Sequence, residues 1–177
     1  MTSNGKIELI ELRALGETHQ IRYLRANLPA QRINFAAAAA TRTLLIQCRD
    51  PEAPPHAAVI EVLREWLREK AKRFLPDYLN QLADSAELPH PAACRIAFQR
   101  TRWGSRSTSG VISLSAVLLF LPPELLRHVL LHELCHIRHM DHGLAFQTLL
   151  KRLDPQTPLR APQLAKAGAY VPDWTIE

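Results

Sequence analysis

A chain of 177 residues, 47 % apolar, 22 % charged and 6 % aromatic, has an ordinary globular composition, which excludes the collagen-like, disordered and membrane-spanning classes. At this length one domain spanning residues 1–177 is expected, burying roughly 70 % of the surface an unfolded chain exposes. Twenty-two Lys+Arg against 17 Asp+Glu leave +5; Arg95, Arg100, Arg102 and Arg106 crowd into one acid-free stretch, which reads first as an ordinary solvated basic surface and second as a patch for phosphates, nucleic acid or carboxylates.

The first fifty residues alternate like short strands, at Lys6–Ile10, Ile21–Leu24, Arg32–Phe35 and Thr43–Cys48, and suggest a small antiparallel sheet over about 6–50. Ala36 to Ala40 conflicts with that reading, because alanine is the strongest helix former and only tertiary context holds it in strands. From His56 the period changes to 3.6, with Val59, Val62, Leu63, Trp66 and Leu67 on one side and Glu61, Arg64, Glu65 and Arg68 on the other. Pro76 is expected to end or kink this helical segment, which a shorter piece continues to about residue 86. Cys94–Phe98 and Val111–Ser115 then read as strands around a Ser/Thr/Gly turn. A Pro-led helix follows from Glu124 to His139 and another from Gly143 to Leu153. Residues 156–177, rich in Ala and Pro, are expected to be irregular.

Cys48, Cys94 and Cys135 are widely spaced and form no CxxC pair, which fits a reducing compartment. The N-terminus lacks a basic start followed by an apolar run, and the longest apolar run, Ala116 to Pro123, falls far short of the ~20 residues that span a bilayer. A cytoplasmic protein without membrane association is therefore expected.

Five of the eight histidines lie between His128 and His142. His132-Glu133-Leu134-Cys135-His136 is an HExxH string on a predicted helix, where residues four apart stand one turn, ~6 Å, apart on one face. Two imidazoles so placed converge on one zinc ion, and Glu133, rotated about 100°, sits beside the ion to take a proton from its water. A catalytic zinc takes a third protein ligand. His142, beyond the helix end and able to fold back, is preferred to His139, whose Cα would stand ~10.5 Å from that of His132 on a straight helix. Cys135 points away from the metal face and reads as a packed small hydrophobe. His128, a turn earlier, reads as a satisfied helix histidine.

In order and spacing, Arg102-Trp103-Gly104-Ser105, Gly110-Val111-Ile112-Ser113-Leu114, Leu121-Pro122-Pro123-Glu124, His132-Glu133-Leu134-Cys135-His136 and Asp141-His142 resemble the YgjP-like metallopeptidases, relatives of the SprT-like family. The likeness is strongest from about Arg95 to Leu153. It implies an α+β, minimal zincin-like fold, with a small mixed or antiparallel sheet, a core over about 93–155 and an HExxH active-site helix. It implies one Zn2+ held by His132, His136 and His142, with Glu133 as catalytic base. The chain departs from the family pattern at Arg106 for Cys, Asp141 for Asn, Gly143 for Ser and Gln147 for Trp.

The leading expectation is a zinc-dependent metalloendopeptidase acting on peptides or unfolded protein, its substrate added antiparallel to an exposed edge of the strand Val111–Ser115. Arg102 pins an acid or stabilises an oxyanion, Trp103 packs or lines a pocket, and Asp141 orients a ligand through a hydrogen bond. Two rivals stand beside it. One is a phosphoanhydride hydrolase using Arg100, Arg102 and Arg106 to hold a nucleotide's phosphates; the other is a DNA-associated, SprT-like protease, whose binding would weaken steeply with salt.

Overall fold

The computed structural model describes residues 2–3, 6–99 and 102–175. They fall into two compact units, 1–66 and 67–177.

In the first unit β1 (Thr2–Ser3) pairs β2 (Lys6–Ile7), and a four-stranded sheet has the order β3 (Leu9–Leu12), β4 (Glu17–Arg25), β6 (Thr43–Cys48) and β5 (Asn34–Ala38). The expected antiparallel sheet is in fact mixed. β4 and β6 run parallel, Ile21 facing Leu44 and Tyr23 facing Ile46, while β5 pairs β6 antiparallel. Ala36, Ala37 and Ala38 are in this strand, opposite Leu45, Leu44 and Thr43. Ladder hydrogen bonds override their helix propensity, as strand propensity is chiefly a matter of context. Leu12, Leu44, Ile46 and Cys48 are fully buried beneath the sheet's alternating pattern.

The helix α1 (His56–Ser85) passes through Pro76 without ending. Proline there removes one hydrogen bond and costs about 3 kcal/mol. Leu75, Leu79, Leu82 and Ala83, all buried, offset that cost by keeping the helix in register with the core on both sides of the proline.

The second unit holds a three-stranded sheet ordered β7 (Ala93–Ala97), β9 (Val111–Ser115) and β8 (Gly104–Arg106). β9 therefore lies in the centre, parallel to β7 and antiparallel to β8. This corrects the expected substrate edge: Val111–Ser115 spends its hydrogen bonds on both neighbours, and among the described residues β8 has a strand on one side only. A buried 3-10 segment, Ala116–Phe120, leads to α2 (Pro123–Cys135), with Pro123 at its first position and Glu124 in its first turn. α3 (Leu144–Leu153) and α4 (Thr157–Ala165) pack on α2.

Two further expectations are corrected here. The chain after residue 156 is not irregular: α4 and two 3-10 turns occupy it, and Trp174 is buried edge-on against Phe120 with ring centres 6.0 Å apart. α2 stops at Cys135, not His139. The amides of Ile137, Arg138 and His139 turn back to the carbonyls of Leu134 and Cys135, which frees residues 140–142 to reverse direction.

Candidate active site

α2 presents His132 from its last turn, and His136 is the residue that caps it. The reversal after His139 returns His142 to the same place. The Nε2 of His132 stands 3.2 Å from the Nε2 of His136 and 3.2 Å from that of His142. The three candidate ligand atoms lie within 4.8 Å of one another. His139 supplies its carbonyl instead of its ring: His136 Nδ1 donates to it at 3.0 Å, which fixes the proton on Nδ1 and turns the Nε2 lone pair inward.

Phe146, from α3 and 2 % exposed, closes the cluster, with its ring centre 4.5–4.9 Å from those of all three imidazoles. Burial, then the neighbouring His136, His142 and His128, push the His132 imidazole down to about 4, and burial also holds His136 below its ordinary range. Both rings are therefore neutral at pH 7, the form that ligates metal. Two nitrogens at 2.0–2.1 Å from one tetrahedral ion stand about 3.3–3.4 Å apart, so the 3.2 Å separations suit a shared zinc-sized ion.

Glu133 is 5 % exposed, and its Oε2 is buried with no hydrogen-bond partner. Burial pushes its carboxyl up to about 7. The side chain lies against β8, where a Cβ at Gly104 would meet Glu133 Cγ and Oε1 at 2.9 Å. Only glycine lets the strand approach this closely. A buried carboxyl whose Oε2 has no donor among the described residues, beside three converging lone pairs, is a donor set that fits a cation with a water between them.

The other expected residues have more modest placements. Asp141 Oδ1 accepts the amide of Gly143 at 3.2 Å and so shapes the turn carrying His142. The carbonyl that orients a ligand ring is that of His139. Gln147 replaces the expected aromatic with a hydrogen bond from Nε2 to the His142 carbonyl, 3.0 Å. Trp103 is half-buried just before β8, and its carbonyl accepts the amide of Ser115. Arg102 is exposed, and Arg100 lies outside the described residues. Cys135 is fully buried, which pushes its thiol up to about 12. His128 is buried too, its Nδ1 2.7 Å from Asp154 Oδ2.

Three participants were not singled out from sequence. Gly104 stood in the Arg-Trp-Gly-Ser string without a role, Phe146 lies on the expected Gly143–Leu153 helix with no motif to mark it, and the His139 carbonyl has no side-chain signal at all.

An α+β fold with a histidine triad and an adjoining buried glutamate defines a metallohydrolase class of site. The family model for the YgjP-like metallopeptidase domain matches residues 3–167, and the chain belongs to that family: it is a metallopeptidase of YgjP-like type. Among curated proteins none matches. Among solved structures, the metallopeptidase zymogen of Pyrococcus abyssi abylysin is 25 % identical over 51 % of this chain and 87 % of its own, with a TM-score of 0.44. That of Methanocaldococcus jannaschii jannalysin is 21 % identical over 51 % and 92 %, with a TM-score of 0.45.

Proposed function

We propose that the protein is a zinc-dependent metalloendopeptidase. The observation that carries this reading is the conjunction of three Nε2 atoms, two of them 3.2 Å from the third, with the partnerless buried Oε2 of Glu133. His132, His136 and His142 would hold the ion, the His136 ring kept in orientation by the His139 carbonyl. Zinc, when bound there, supplies Lewis-acid polarisation of the water and of the substrate carbonyl.

Glu133 takes the proton of the attacking water on Oε2 and passes it to the leaving amine nitrogen. Burial alone raises this carboxyl to about 7 in the metal-free fold, and a dication beside it would draw it back toward the ionised form that accepts the proton. Substrate lies extended along the free edge of β8, adding a strand next to Gly104, where Glu133 meets the sheet.

The deciding experiment incubates an unfolded protein and, in parallel, nucleoside triphosphates with zinc-loaded wild type and Glu133→Gln, the bound metal being quantified in both. Proteolysis lowered at least a hundredfold in the variant, with zinc retained, is the expected result. Triphosphate hydrolysis without proteolysis overturns the reading in favour of a phosphoanhydride hydrolase.

A further inference from the structure

The inference drawn here rests on the peptidase reading and names its substrate class. Side chains alternate along a strand, so Gly104 and Arg106 share one face of β8. That face is turned to Glu133, as the 2.9 Å approach at Gly104 requires. Arg106 reaches from it to the turn that carries the third histidine, where its Nη1 donates to Met140 Sδ. Its Nε is buried without a hydrogen-bond partner among the described residues. A thioether is a weak and neutral acceptor. Among the described residues no carboxylate forms an ion pair with Arg106. A guanidinium fork matches carboxylate geometry bidentately, and leaving a buried donor unmet is unfavourable. Arg106 thus has its charge and its direction toward the site, and lacks an anion among the described residues.

We propose that Arg106 is the specificity-determining residue of this site, taking a carboxylate of an extended peptide laid along the free edge of β8. In a strand paired with β8, the residue opposite Arg106 is two positions from the one opposite Gly104, with its Cβ about 5 Å from that of Arg106. The residue opposite Gly104 lies at Glu133 and therefore beside the bond to be cut. The recognised carboxylate belongs to an Asp or Glu about two positions along, or to a chain end at the same place.

The test uses zinc-loaded full-length protein and matched peptides, amidated at the C-terminus, with Glu or Gln two positions to either side of the cleaved bond. A further Gln peptide ends at that position with a free carboxylate. The Glu peptide is expected to exceed its Gln twin about tenfold in kcat/KM, mainly through KM, as one charge-assisted contact implies. The ratio falls to about one in Arg106→Gln, survives in part in Arg106→Lys, and turns toward a Lys-bearing peptide in Arg106→Glu. A response of the free-ended peptide alone assigns the carboxylate to a chain terminus and sustains the proposal.

Equal rates for all twins in the wild type overturn the proposal, as does a Glu preference that persists in Arg106→Gln. If no peptide is cut, the peptidase reading has failed separately, and anisotropy of the labelled twins with zinc-loaded Glu133→Gln decides Arg106. Carboxylate-dependent binding lost in Glu133→Gln/Arg106→Gln sustains it, and equal binding of Glu and Gln peptides overturns it.

Discussion

Glu133 is placed by the absence of a side chain on its neighbour. Because a methyl at Gly104 would stand 2.9 Å from its Cγ and Oε1, Gly104→Ala is expected to displace the carboxylate and lower kcat about a hundredfold. Zinc content should be unchanged, and the two are measured on one preparation; loss of zinc would mean that the strand, not the carboxylate, had moved. The histidines make a separate prediction. With His132 held down at about 4 by burial and by its neighbours, the unfolded chain binds a proton there below about 6.5 that the native metal-free protein refuses until about 4. In Glu133→Gln, which removes the opposing contribution of the raised Glu133 carboxyl, metal-free stability should therefore fall as the pH drops from about 6.5 to about 4, read as the urea midpoint across that range. That His132 and His136 face one way was legible in sequence, because a four-residue spacing on a helix fixes directions locally; that His142 meets them rested on the expected turn after the helix, and the structure brings the three rings together. Gly104 and Phe146 were not legible, since their roles depend on how closely a strand and a second helix approach α2, which no local pattern encodes.

At the scale of elements, α2, α3 and α4 meet at one buried ion pair. Asp154, 1 % exposed at the end of α3, accepts from His128 Nδ1 of α2 at 2.7 Å, from Arg160 Nη1 of α4 and from the amide of Gln156. Burial alone would raise its carboxyl, but the hydrogen bonds from Arg160 and His128 outweigh it and leave it below its ordinary value. Removing one partner of a buried pair strands the other, so Asp154→Ala is expected to cost about 3–5 kcal/mol in denaturant unfolding. The sign of the pH effect follows from a depressed carboxyl: its stabilisation is complete above about 4 and is lost as the pH falls through the lower folded value. This junction explains why the last segment escaped the sequence. Ala- and Pro-rich residues carry a weak local helix signal, and it is Arg160 docking on Asp154, with Trp174 on Phe120, that orders them. Pro76 in α1 makes the converse point, a strong local stop signal overruled by buried leucines on either side.

For the whole molecule, the three metal-binding candidates come from both sides of a chain reversal, so an ion that links them binds the folded form alone. Zinc at a hundred times its dissociation constant should add about 2.7 kcal/mol to unfolding, seen as a rise in melting temperature that a chelator reverses and that His142→Ala diminishes. Which strands exist was largely readable from alternation, and Thr43–Cys48 and Val111–Ser115 fall where that pattern puts them. Their order was not readable. Nothing in the residues of β9 marks it as the middle strand, or β4 and β6 as parallel, because pairing partners are chosen by the crossovers between them.

The end of α2 at Cys135, with His136 as its cap, has an electrical consequence. The aligned peptide dipoles of a helix leave roughly half a negative charge at its C-terminus. Three neutral imidazoles would cancel none of a bound dication's charge, so the helix end itself would serve as a counter-ion built from the backbone, which alanine at any one of the histidines leaves in place.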